Sequence, residues 1–246
     1  MAHTPATVQK VVAIMLVVAG GVVKSGSTAL YQYIRELVWV YTNGFAPQMP
    51  EGSEDEYFDS HLRDWVESNQ WHVVKLHAWR DSLEPYRDNT NMRVVMTYRD
   101  LRDTCLSVRD FRNDTFEGVI ASKILQRIRD AELNWNKKMN GLRLMPFSYK
   151  FMRTHPAQAI YQIGIFMNMN ISLDRAQGIA EKWSIHANRA RAARNYHYTE
   201  PDFMSPRHIS SGNVERWKTE LTKEQCRIVQ DHVGVDWFYE RGYEVV

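Results

Sequence analysis

The first regular pattern along the chain is a continuous apolar run rich in valine, Val11 to Val18, the mark of a strand buried on both faces of a parallel sheet. Glycines follow, and Thr28 to Tyr41 then sets Leu30, Ile34, Leu37, Val38 and Tyr41 at helical spacing, with Asn43-Gly44 as a stop signal. Strand, short polar loop and helix form one unit. Phe45 to Ser53 reads as a loop, Glu54 to Asn69 as a helix and Trp71 to Leu76 as a second strand. Arg93 to Tyr98 predicts a third strand that runs directly into a helix over Leu101 to Phe111. Thr115 to Asn140 is expected to be mostly one long helix, Leu142 to Ser148 a fourth strand, and Pro156 to Met167 and Leu173 to Arg194 further helices. Thr222 and Gln225 spell a capping box for a helix that ends at Gly234. The alternation predicts an α/β fold with a central parallel sheet flanked by helices, in a single domain over residues 1–246 without repeats or linkers.

Composition narrows the partners. With 44% hydrophobic and 24% charged residues, the chain has the balance of a folded soluble domain. Its 31 basic and 29 acidic residues leave a net charge of +2, so no nucleic acid or anionic membrane is expected as a partner and any basic site must be local. The longest apolar run, Val11 to Val23, is shorter than the roughly 17 to 25 residues that span a bilayer. Lys10 ahead of that run and Ala19-Gly20-Gly21 behind it would suit a secretory signal, but cleavage there would strip the strand that supports the next loop. Cys105 and Cys226 have no metal-ligand spacing and are too few for a disulfide framework. A cytoplasmic location and no metal site are therefore expected.

Two segments carry candidate chemistry. Lys24-Ser25-Gly26-Ser27-Thr28 joins the first strand to a helix, where backbone amides and the helix dipole favour an anion. The Gly-Lys-Ser/Thr order of the nucleoside-triphosphate loop is absent, and a plain polar turn is the alternative. Its position at the carboxyl edge of an α/β sheet, where ligands bind, favours the site. The second segment is Arg99-Asp100-Leu101-Arg102-Asp103-Thr104-Cys105-Leu106-Ser107, after the third strand. Arg99 and Ser107 suit a phosphate monoester, and an Arg99–Asp103 ion pair is the bland alternative.

Together these segments resemble the sulfotransferases that use 3'-phosphoadenosine 5'-phosphosulfate (PAPS), whose motifs read Pro-Lys-Ser-Gly-Thr-Thr-Trp and Arg-Asn-Pro-Lys-Asp-x-x-x-Ser. The resemblance implies that Lys24, Ser25, Gly26, Ser27, Thr28 and Ala29 cradle the cofactor and that Arg99 and Ser107 hold its 3'-phosphate. Lys75-Leu76-His77 resembles the family's Lys-Thr-His, in which the histidine is the catalytic base. Tyr149, seven residues before Pro156, matches a family tyrosine at the adenine. Arg207-His208-Ile209, leading to Trp217-Lys218, resembles the segment that closes over the 3'-phosphate, with Gly212 standing for its glycine. Ala29 departs from the tryptophan that commonly stacks on adenine, and Val23 replaces a proline.

The implied reaction moves a sulfuryl group from PAPS to a hydroxyl or amine of a small-molecule acceptor and releases 3',5'-ADP, without a metal. Lys24 would stabilise the leaving group, His77 would take the acceptor proton, and Lys75 is either a second cation at the sulfuryl group or part of a structural ion pair. Phe45 to Ser53, the segment after Phe111 and Tyr196 to Phe203 are candidate walls of the acceptor pocket. The alternatives are a P-loop phosphotransferase of the nucleotide-kinase kind and a nucleotide-binding module without catalysis. The family's dimer motif is absent, so the resemblance implies no oligomeric state.

Overall fold

A computed structural model describes residues 16–42, 54–68, 70–139, 141–194 and 212–246. Its sheet contains β1 (Leu16–Gly21), β2 (His72–Leu76), β3 (Met92–Tyr98) and β4 (Leu144–Ser148), all parallel, in the order β2-β1-β3-β4. Leu16 pairs with His72 on one side and Met92 on the other, so β1 is an inner strand. Its alternate residues enter two different cores. Val17 and Ala19 pack beneath α1 (Ser27–Tyr41), α7 (Pro156–Phe166) and α8 (Leu173–Lys182). Leu16 and Val18 pack beneath α2 (Glu54–Glu67) and Trp135 of α5 (Ile124–Lys138). Burial on both faces explains why the strand is apolar at every position.

A third core lies where α3 (Leu101–Arg112) and α4 (Phe116–Ala121) meet α5, α11 (Lys223–Val233) and α12 (Val235–Glu240). The remaining helices are α6 (Tyr149–Thr154), which follows β4 without a loop, α9 (Ile185–Arg194) and α10 (Trp217–Glu220).

Several boundaries differ from those expected. The first strand continues through Gly20 and Gly21, while Val11 to Met15 lie outside the described residues. A Cβ on Gly21 would stand 2.5 Å from Thr97 Oγ1 and 2.6 Å from Ser27 Cβ, so this glycine allows the returning helix to pack against the strand end. The long helix over Thr115 to Asn140 is two helices, because Lys123 adopts the left-handed conformation at φ 54°. The helix over Leu173 to Arg194 is also two. Ser184 restarts it, its hydroxyl accepting from the Ala187 amide at 3.3 Å. The capping box is present as expected: Thr222 Oγ1 accepts from the Gln225 amide at 3.1 Å, and Gln225 Oε1 accepts from the Thr222 amide at 3.0 Å.

Because all four strands point the same way, their carboxyl ends share one edge of the sheet. The chain leaves β1 toward β2 and later crosses back past β1 to form β3, the kind of reversal beside which open α/β sheets bind ligands. Lys24, His77, Arg99 and Tyr149 follow the ends of β1, β2, β3 and β4 in turn.

Candidate active site

The loop after β1 is shaped from within. Ser25 is fully buried; its amide and hydroxyl both donate to Val22 O, at 3.1 and 2.6 Å, and its hydroxyl shares a hydrogen bond with Thr97 Oγ1 at 2.7 Å. Its side chain therefore braces the loop against β3 and does not reach the cavity. Lys24 and Gly26 are both left-handed, at φ 65° and 90°. The first amides of α1 have no intrahelical acceptors, and Gly26 before them has no side chain to cap them. A Cβ on Gly26 would lie 2.6 Å from the Tyr149 ring, so only glycine combines this backbone with that close ring.

Cationic and basic groups surround the loop. Lys24 Nζ sits 3.3 Å from the centroid of the Phe111 ring, and Lys75 Nζ donates to Thr28 Oγ1 at 3.1 Å. Desolvation, followed by repulsion from Lys75, lowers the Lys24 pKa to about 8. His77 Nδ1 lies 2.7 Å from Gly21 O. A carbonyl only accepts, so in the neutral ring the proton resides on Nδ1 and the lone pair on Nε2.

Arg99 is 5% exposed and links three segments. Its Nη1 donates to Lys24 O at 3.5 Å, and its Nη2 donates to Asn213 O at 3.1 Å and Asp103 Oδ2 at 3.4 Å. The guanidinium carbon lies 4.3 Å from the Tyr149 ring centroid, and buried Nε has no hydrogen-bond partner. The Asp103 contact thus exists, but it leaves donor capacity unused. Asp103 also accepts the amides of Glu215 and Trp217, at 2.8 and 3.1 Å, and so ties the C-terminal segment to α3.

These groups line a cavity of about 230 Å³. Of the sequence candidates, Lys24, Gly26, Ser27, Thr28, Ala29, Lys75, His77, Arg99, Ser107, Tyr149 and Gly212 all border it. Arg207 and His208 lie outside the described residues, as do the candidate acceptor loops Phe45 to Ser53 and Tyr196 to Phe203. Among the described residues, four cationic side chains line the cavity and no carboxylate does. The fourth cation is Arg153 on α6, which sequence reasoning missed. It belongs to neither loop motif, and only its position four residues after Tyr149, one helical turn on, hinted at a shared face. No cluster of three potential metal ligands occurs among the described residues.

A family model described as the sulfotransferase domain matches residues 13–240. The chain belongs to the sulfotransferase family, the class that its two loop motifs resemble. Two solved structures have the same fold. Mouse sulfotransferase SULT7A1 complexed with PAP aligns at a TM-score of 0.66 and 14% identity, over 91% of this chain and 83% of that one. Retinol dehydratase in complex with androsterone and the inactive cofactor PAP aligns at 0.62 and 12%, over 92% and 81%. A search of curated proteins finds no match. Family membership removes the nucleotide-kinase alternative.

Proposed function

We propose that this sulfotransferase carries a sulfuryl group from PAPS to a hydroxyl or amine of a small organic acceptor and releases 3',5'-ADP. The observation that carries the reading is the cavity lined by Lys24, Lys75, Arg99 and Arg153 with no carboxylate among its described walls. Such a lining suits a ligand with several negative charges. The unpartnered Arg99 Nε and the glycine-dependent cradle at Gly26 fit the same group.

PAPS, when bound, supplies an activated sulfuryl group joined to a phosphate leaving group. The protein's part is positioning and electrostatic stabilisation, as in phosphoryl transfer. Lys24, Ser27, Thr28 and the first amides of α1 hold the 5' end, with Lys24 keeping positive charge where negative charge develops. Lys75 orients the Thr28 hydroxyl by donating to it. Arg99 and Ser107, with Arg207, His208 and Gly212 from the resemblance, hold the 3'-phosphate, and Tyr149 flanks the nucleoside. His77, its Nδ1 anchored on Gly21 O, offers Nε2 to the acceptor's proton.

Retinol dehydratase has been solved with androsterone and with retinol, which supports a small, largely apolar acceptor here too. Phe111 and Val23, which also border the cavity, suit such a molecule. A cytoplasmic setting is supported by two buried cysteines that remain free thiols.

The reading is tested by calorimetric titration with 3',5'-ADP and 5'-AMP. Charge-assisted bonds contribute about 1.5 to 3 kcal/mol each, so the bisphosphate should bind more than tenfold more tightly, and Arg99→Ala should erase most of that preference. Equal affinities in the wild type would reject it. Turnover of PAPS with a panel of alcohols and amines then separates an enzyme from a binding module.

A further inference from the structure

Of the four cations that line the cavity, three are held by hydrogen bonds: Lys75 by Thr28 Oγ1, Arg99 by two carbonyls and Asp103, and Arg153 by Gly212 O. Lys24 is the exception. Its ammonium has no hydrogen-bond acceptor and no carboxylate partner among the described residues, and rests instead 3.3 Å from the centroid of the Phe111 ring. Resting on the PAPS reading, we propose that Phe111 is the positioning residue of Lys24: its ring holds the ammonium in the cavity without neutralising it, and so presents the charge to the 5' end of the cofactor.

Three observations support this assignment. First, the backbone fixes only the near end of Lys24. The residue is left-handed at φ 65° and its carbonyl accepts from Arg99 Nη1 at 3.5 Å, but the four-carbon stem beyond is flexible and its tip needs a hold of its own. Second, the ammonium needs compensation, because it is half-buried and both desolvation and the charge of Lys75 act against it. A carboxylate would supply that compensation and would also repel the ligand's phosphates. An aromatic ring attracts a cation through its quadrupole and carries no net charge, so the cavity keeps its positive potential. Third, the place of Phe111 is not explained by packing: its side chain is 44% exposed and takes no part in the hydrophobic cores of the described residues. It stands on the last turn of α3, four residues after Ser107, and both residues border the cavity. That spacing puts them on one helix face, so the helix that carries the hydroxyl for one phosphate also sets the lysine for the other.

The test is a double-mutant cycle read by calorimetric titration of 3',5'-ADP into the full chain at pH 7, with no acceptor present, so that contacts of Phe111 with an acceptor do not enter. Phe111→Leu keeps apolar bulk and removes the ring face; it should weaken 3',5'-ADP binding by about 2- to 30-fold, the range of a cation–π contact between surface and interior. Phe111→Tyr keeps the face and should bind within about twofold of the wild type. In a Lys24→Met background the same Phe111→Leu change should cost nothing further, because the ring acts only through the ammonium. Replacing Phe111 by mono-, di- and trifluorinated phenylalanine changes the shape little and withdraws charge from the ring face, so affinity should fall step by step along the series. An equal Phe111→Leu loss in both backgrounds would make the ring a packing residue and overturn the assignment. A Phe111→Leu variant that binds like the wild type, a Lys24→Met variant that does so, or a flat fluorine series would each overturn it as well. A wild type that binds 3',5'-ADP no more tightly than 5'-AMP would instead refute the PAPS reading on which the assignment rests.

Discussion

Affinity for 3',5'-ADP should fall about tenfold between pH 7 and pH 9, because Lys24 loses its charge across that range. Its half-buried ammonium lies against the Phe111 ring and faces Lys75, and together burial and repulsion bring its pKa from 10.5 to about 8. At that value roughly nine-tenths of the free protein carries the ammonium at pH 7 and roughly one-tenth at pH 9. The ligand's own phosphates, with a second pKa of about 6, keep a constant charge over the same range. An anion bound beside Lys24 favours the charged form, so binding near pH 8 to 9 should take up a proton. Calorimetry in two buffers of different ionisation enthalpy measures both the affinity and that proton. Lys24→Arg keeps its charge at every pH tested and should flatten the profile. A wild-type affinity constant from pH 7 to 9, or a Lys24→Arg profile as steep as the wild type's, would refute the reasoning. Unfolding through this group cannot mimic the effect. The unfolded chain binds more protons between about pH 8 and 10.5, so Lys24 makes the fold more stable as pH rises through that window.

Two further outcomes follow from other contacts. His77→Ala should lower turnover by about 100- to 10,000-fold while leaving 3',5'-ADP affinity intact, since the ring is anchored to Gly21 O on the acceptor side; a full-speed variant with a hydroxyl acceptor would dismiss His77 as the base. Asp100→Ala should destabilise the fold by about 3 to 5 kcal/mol, because fully buried Arg102 would lose the carboxylate it meets at 2.7 and 3.0 Å. At about 2 to 4 °C per kcal/mol for a chain of this size, a melting temperature within 2 °C of the wild type would count against that stranded charge.

What could be read along the chain was whatever neighbouring residues decide among themselves. The valine-rich strand, the helical spacing after it, the Thr222–Gln225 capping box and the two loop motifs each lie within a short window, and each was legible there. The reading of Arg99 against Asp103 was also local, though the outcome joined the alternatives: the pair exists, and the guanidinium still borders the cavity. Helix breaks at Lys123 and Ser184 were missed because periodic apolar spacing continues across them, while the backbone turn answers to packing. Ser25 reads from the sequence only as a member of the cofactor loop, and its hydroxyl bond to Thr97, 72 residues away, leaves no mark in local spacing. Arg153, Trp183, Ile185 and Gly212 form one wall only because the sheet and its covering helices bring distant segments to a single edge. Their convergence depends on strand order and helix packing, which are long-range contacts and leave no spacing in the sequence by which to recognise them.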